Sequence, residues 1–166
     1  MKNVQSFLRI AIVCVAALLA SCAEKTNTVV FKIPDAYRGP LFIIIDKNSS
    51  NQIEFKDGEY VVTFDKQGFC VLNEATYRNM PSRYYATIGK NTSVEVWAPA
   101  LAPAEYANKP ILFDVWYMDN PMQDGRDVIF MYYGTADEEK KFGEHLHGLT
   151  NDELRDYFKQ RQAGGK

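Results

Sequence analysis

The run Leu41-Phe42-Ile43-Ile44-Ile45 is apolar at every position, and it limits the architecture more than any other stretch. Successive side chains of a strand point to opposite faces, so a strand with one wet face alternates apolar with polar residues. This run does not alternate. It therefore needs cover on both faces, and the rest of the chain has to supply two covers.

The flanking sequence supplies strands for the first. Thr28-Val29-Val30-Phe31-Lys32-Ile33 is rich in β-branched residues and stops at Pro34, which cannot donate to a ladder. Gln52 to Phe55 and Tyr60-Val61-Val62-Thr63-Phe64 flank Lys56-Asp57-Gly58-Glu59, where Asp-Gly suits the positive φ of a tight hairpin. Tyr60, Val62 and Phe64 share one face of that strand. Asp65 to Gly68 turns again into Phe69-Cys70-Val71-Leu72. Arg83 to Ile88 and Ser93 to Trp97, around Gly89-Lys90-Asn91-Thr92, form a second predicted hairpin. Pro99, Pro103 and Pro110 make Ala98 to Pro110 a loop. Ile111 to Met118 and Val128 to Tyr133 are the last predicted strands. Short strands with turns at close intervals predict a mainly β fold, a single antiparallel β-sandwich.

The second cover comes from the C-terminus. Thr135 with Glu138 and Thr150 with Glu153 have capping-box spacing, so two short α-helices start there, and Leu149 with Leu154 suits a hydrophobic staple on the second. Leu154, Tyr157 and Phe158 give that helix an apolar stripe. The expectation is that it lies on the outer face of the sheet containing Leu41 to Ile45.

Ile33-Pro34-Asp35-Ala36-Tyr37-Arg38-Gly39-Pro40, Asp57-Gly58-Glu59-Tyr60, Gly68 and the later Tyr132-Tyr133-Gly134-Thr135 resemble a family of uncharacterised bacterial domains that begin Ile-Pro-x-x-Tyr-x-Gly. The likeness covers residues 31 to about 75 and about 128 to 160. It implies a fold and brings no catalytic residue with it. The strand order is also similar to prealbumin-like sandwich modules.

At the N-terminus, Lys2 and Arg9 precede the apolar run Ile10 to Leu19 and then small residues, the order of a secretory signal. The run is too short for a permanent span, which needs roughly 20 apolar residues. Leu19-Ala20-Ser21-Cys22 resembles the lipobox of bacterial lipoproteins. That resemblance implies cleavage between Ser21 and Cys22 and attachment of diacylglycerol, with palmitate-type chains, to the Cys22 thiol. An ordinary signal cut after Ala23 is the other reading of these residues. On the lipobox reading, 1–21 is a signal peptide, 22–27 a tether of at most about 18 Å at roughly 3.5 Å per residue, and 28–163 a single β-rich domain. Two or three acyl chains make a lasting anchor where one does not. In diderm bacteria an Asp after the cysteine commonly retains a lipoprotein at the inner membrane. Ala23 stands there, which favours the outer membrane facing the periplasm. In a monoderm the same lipid would hold the domain outside the plasma membrane.

Losing Lys2 and Arg9 from 19 basic residues against 21 acidic ones deepens the negative charge. An acidic chain without a basic stripe is a poor nucleic-acid binder. Of the three cysteines, Cys14 leaves with the signal and Cys22 takes lipid, so Cys70 has no intrachain disulfide partner.

Chemistry-bearing residues are few. His145 and His147 are the two histidines and lie beside Glu144, between Gly143 and Gly148. Those glycines predict an interhelical loop. A zinc site needs three or four ligands, and the chain has neither His-Glu-x-x-His nor Cys-x-x-Cys. Asp119, Asp124 and Asp127 with Asn120 and Gly125 resemble a cation loop in composition but miss the EF-hand spacing. Cys70, between Phe69 and Val71, reads as a small core hydrophobe. Trp97, Trp116, Tyr84, Tyr85, Tyr117, Tyr132 and Tyr133 lie in or near strands, either under the helices or as an exposed row suited to sugars or proteins. No metal and no cofactor is expected. The functional expectation is a membrane-anchored cell-envelope lipoprotein acting as a non-catalytic binding or structural module, with an envelope protein or glycan as partner. The alternative is an envelope hydrolase or metal-dependent enzyme built on His145, His147 and Glu144.

Overall fold

The computed structural model describes residues 28–51, 53–80, 84–90, 92–98 and 101–163, with the side chains of Tyr84, Asp114, Val115 and Trp116 left out. Ser21, Cys22, the signal and the tether lie outside the described residues.

Strands run β1 (Thr28–Ile33), β2 (Gly39–Asp46), β3 (Glu54–Lys56), β4 (Glu59–Thr63), β5 (Phe69–Asn73), β6 (Tyr84–Ile88), β7 (Thr92–Val94), β8 (Val96–Trp97), β9 (Ile111–Met118) and β10 (Asp127–Gly134). Among the described residues three α-helices accompany them, α1 (Glu74–Arg78), α2 (Ala136–His147) and α3 (Asn151–Ala163), with a 3-10 turn at Ala104–Tyr106. One sheet has the order β3-β4-β1-β6-β7 and the other β5-β2-β10-β9-β8.

The sheets are mixed, which corrects the antiparallel expectation. β1 runs parallel to both β4 and β6, β2 parallel to β5, and β8 parallel to β9. The hairpins β3–β4, β6–β7 and β9–β10 are antiparallel, as is β2–β10. The reason lies in the connections: the chain passes from one sheet to the other after β1, β2, β4, β5 and β7. A strand that returns to its first sheet by way of the second can enter in the direction of an earlier neighbour, which a direct hairpin cannot do. The predicted strand Ser93 to Trp97 is split by such a crossing. Val94 pairs with Ala86 in one sheet, and two residues later Val96 pairs with Leu112 in the other.

Both covers of β2 are present. Leu41 and Ile43 face Val29, Phe31, Ile33 and Val62 of the opposite sheet in one apolar cluster. Phe42 and Ile44 join Val128, Phe130, Leu146 and Phe158 in a second cluster beneath the helices. All five residues from Leu41 to Ile45 are buried. The order of layers is sheet, sheet, helices. The helix cover is broader than the expected stripe of α3, because α2 contributes Leu146 and Phe142 to it.

Local chemistry explains the ends. Asp57 and Gly58 have φ of 55° and 88°, so both central residues of the β3–β4 turn are left-handed, as the primed hairpin turn needs. Thr135 accepts from the Glu138 amide at 3.4 Å while the Glu138 carboxylate accepts from the Thr135 amide at 2.8 Å. Thr150 and Glu153 repeat that exchange at 3.4 and 2.8 Å. Helix α1 is not anticipated by the sequence reading. Its start is set by Asn73, whose side chain accepts from the Ala75 amide at 2.9 Å.

Candidate functional site

The residues singled out for chemistry do not converge. Glu144, His145 and His147 lie in the last turn of α2 and all three are exposed. The predicted interhelical loop is therefore helix, because Gly143 sits buried against the layer below and packing there outweighs its low helix propensity. On a helix, residues two apart point nearly opposite ways. His145 packs its ring against Phe142 and Tyr157 at centroid distances of 6.5 and 6.2 Å. His147 instead faces a cleft of about 430 Å³ with Tyr117, Met118, Leu149 and Leu154. Among the described residues no three His, Cys, Asp or Glu side chains are grouped as a metal would require.

Asp124, before β10, and Asp127, its first residue, are engaged with protein groups. Arg126 donates to Asp124 at 2.6 and 3.0 Å, and those bonds hold the Asp124 carboxyl below its usual range. Tyr117 donates its hydroxyl to Asp127, and the Asn120 amide donates to the same carboxylate at 3.1 Å. The phenol bond lowers the Asp127 pKa and pushes Tyr117 up to about 12. The Asn120 side chain accepts from the Gly125 amide at 2.7 Å. This is a self-bonded hairpin loop.

Cys70 is half-buried against the inter-sheet cluster, and desolvation pushes its thiol up to about 11. A nucleophilic thiol needs the opposite shift. Cys70 and Thr63 help line an open groove of about 470 Å³ between β4 of one sheet and the edge strand β5 of the other. Of the aromatics, Tyr132 and Tyr133 are buried, while Tyr85 and Tyr117 are exposed. They form no single row. Trp97 is half-buried beneath the loop that carries Tyr106, at 6.3 Å between rings. The rings of Tyr84 and Trp116 lie outside the described residues.

The most connected polar group was not anticipated. Arg161 lies one turn beyond Tyr157 and Phe158, with its guanidinium over the rings of Phe42 at 5.6 Å and Tyr157 at 5.9 Å. It donates to the Tyr37 hydroxyl at 3.3 Å, to the Gln67 carbonyl at 3.2 Å and to the Tyr157 hydroxyl at 3.3 Å. Tyr37 in turn donates to the carbonyls of Pro40 and Gln67, and burial pushes its hydroxyl up to about 12. A Cβ on Gly68 would meet the Tyr37 phenol and come within 2.6 Å of the Pro40 carbonyl oxygen. The tyrosine and the later glycine of the family-like pattern are therefore two halves of one contact, and α3 is pinned to it. The spacing of Arg161 from Leu154, Tyr157 and Phe158 on one helix face was the available signal.

No protein-family model matches the chain, and no curated protein matches it. The uncharacterised-domain resemblance thus gains no support from a family model. Among solved structures, "Putative Lipoprotein from Bacillus anthracis" is similar with a TM-score of 0.45 and 12% identity, over 82% of this chain and 96% of that one.

Proposed function

We propose that this chain is a lipid-anchored cell-envelope module that binds or braces a partner without catalysing a reaction. The observation that carries this reading is Leu19-Ala20-Ser21-Cys22 closing a short apolar run behind Lys2 and Arg9. Two features are consistent with it. Among the described residues no helix is long and apolar enough to cross a membrane, and among them His145 and His147 face different surroundings. The uncharacterised-domain and prealbumin-like affinities belong to the same proposal, with the apolar cluster shared by the two sheets as support for a sandwich. Ala23 favours the outer membrane of a diderm, with the domain facing the periplasm and an envelope protein or glycan as partner.

The test is processing. Intact mass of the protein from its own membranes should correspond to a chain beginning at Cys22 with diacylglycerol attached, and Cys22→Ser should give an uncleaved or soluble product. An unlipidated mature chain beginning at Glu24 overturns the reading.

A further inference from the structure

The edge strand β3 carries a pattern that the proposed anchor does not use. Its three residues, Glu54, Phe55 and Lys56, are all exposed, and Phe55 keeps 55% of its surface in solvent although it is aromatic. The β3–β4 register pairs Glu54 with Val61, Phe55 with Tyr60 and Lys56 with Glu59. Lys56 and Glu59 close a two-residue turn, so they form a hydrogen-bonded pair and the next pair, Phe55 with Tyr60, is a non-bonded one. The alternation turns the N–H and C=O of Phe55 away from β4. They point off the side of the sheet where β3 is the last strand among the described residues.

We infer that β3 is a self-recognition edge, at which two copies of this chain pair antiparallel about a two-fold axis through Phe55. In that register the Phe55 N–H of each copy donates to the Phe55 carbonyl of the other, using the two groups the fold leaves outward. Glu54 of one copy then stands opposite Lys56 of the second, and Lys56 opposite Glu54. These two pairs occupy non-bonded positions, where facing side chains come closest. The sequence Glu-Phe-Lys is charge-complementary to itself only in this antiparallel arrangement. A parallel pairing in register would set Glu against Glu. The two Phe55 rings meet on the opposite face, beside Tyr60, whose ring is already 4.7 Å from Phe55. A strand edge with outward N–H and C=O groups is a template for another chain, here one whose charges match its own in reverse, and a two-fold contact closes on itself instead of growing into a fibre.

Three residues a side bury less than the roughly 1,200–2,000 Å² of a stable interface, so the pairing is weak, with a Kd on the order of 0.1–1 mM. A zero-length carbodiimide suits it, because that reagent joins a carboxylate to an amine only where they touch. Full-chain protein in detergent micelles, half of it labelled with ¹⁵N, is coupled at about 1 mM. Mass spectrometry should find a covalent dimer with Glu54 of one isotope joined to Lys56 of the other. Glu54→Lys removes the carboxylate that the reagent needs, so the variants are compared uncoupled, by the dimer fraction in sedimentation at the same concentration; like charges then stand opposite each other, and that fraction should fall about tenfold. Glu54→Lys with Lys56→Glu reverses both charges and should restore it. All these positions are exposed on a short edge strand, so folding is preserved, and unchanged circular dichroism checks that. Absence of the mixed-isotope link, an equal dimer fraction from Glu54→Lys, or failure of the double variant to recover would each overturn the proposal.

Discussion

Replacing Gly68 by alanine probes the contact on which the turn after β1, the turn before β5 and the C-terminal helix all meet. Gly68 has φ +83°, a left-handed conformation that costs a residue with a Cβ about 1–2 kcal/mol. The new methyl would also drive into the Tyr37 phenol and lie 2.6 Å from the backbone oxygen of Pro40. The phenol must then leave, and its one O–H bond, shared between the Pro40 and Gln67 carbonyls, goes with it, as does the bond it accepts from Arg161, each worth about 0.5–1.5 kcal/mol net. The sum predicts a loss of about 2–5 kcal/mol in urea unfolding, with the slope against urea unchanged. A second background makes the cause visible. In a Tyr37→Ala protein the ring is absent, so Gly68→Ala should cost about 1–3 kcal/mol less there than in the parent. An equal cost in both backgrounds would show that Gly68 is not making room for Tyr37, and a loss under about 1 kcal/mol in the parent would refute the argument.

Ile43→Ala and Ile44→Ala should each cost about 2–5 kcal/mol, because they empty different clusters on opposite faces of β2; a silent member of the pair would mean one face is wet. Phe158→Ala removes a fully buried ring from beneath α3 and should cost about 3–5 kcal/mol, while truncation before Thr150 should lower the melting temperature and raise ANS fluorescence by uncovering Phe42. Burial raises the Glu139 carboxyl pKa above its ordinary 4.5. The folded state thus holds that proton more tightly, and stability falls as pH climbs from 4.5 through the raised value. Glu139→Gln should therefore be more stable than the parent at pH 7 and nearly equal to it below 4.5; equal pH profiles in thermal melts would refute this.

What was legible in the sequence was local. The apolar run in β2 demanded two covers whatever the topology, Asp57-Gly58 fixed its own hairpin through φ, and both Thr–Glu boxes start helices because each satisfies amides within one turn. What was not legible depended on partners distant in the chain. Strand direction across β1–β4 and β2–β5 is set by where the crossings re-enter, and no turn residue records that. Gly143 looked like a breaker, yet a glycine buried in α2 allows the helix to run on through His147, and this places the two histidines on different sides. Arg161 shares a helix face with Tyr157 and Phe158, but its partner Tyr37 lies 124 positions earlier, where no local pattern reaches.

The position of β1 has a mechanical consequence. Thr28 enters the fold at the middle strand of its sheet, with parallel neighbours on both sides. A pull arriving from the N-terminal side acts along that strand. It loads two ladders in shear at once, so many bonds must yield together, whereas a pull on an edge strand would open them one after another like a zip. The C-terminal end offers the contrast, since α3 can be peeled off turn by turn, with Arg161 and Phe158 as its first fastenings. Force applied between the two ends should strip the helix well before it disturbs β1, and single-molecule extension would register that as a small early step ahead of the main rupture.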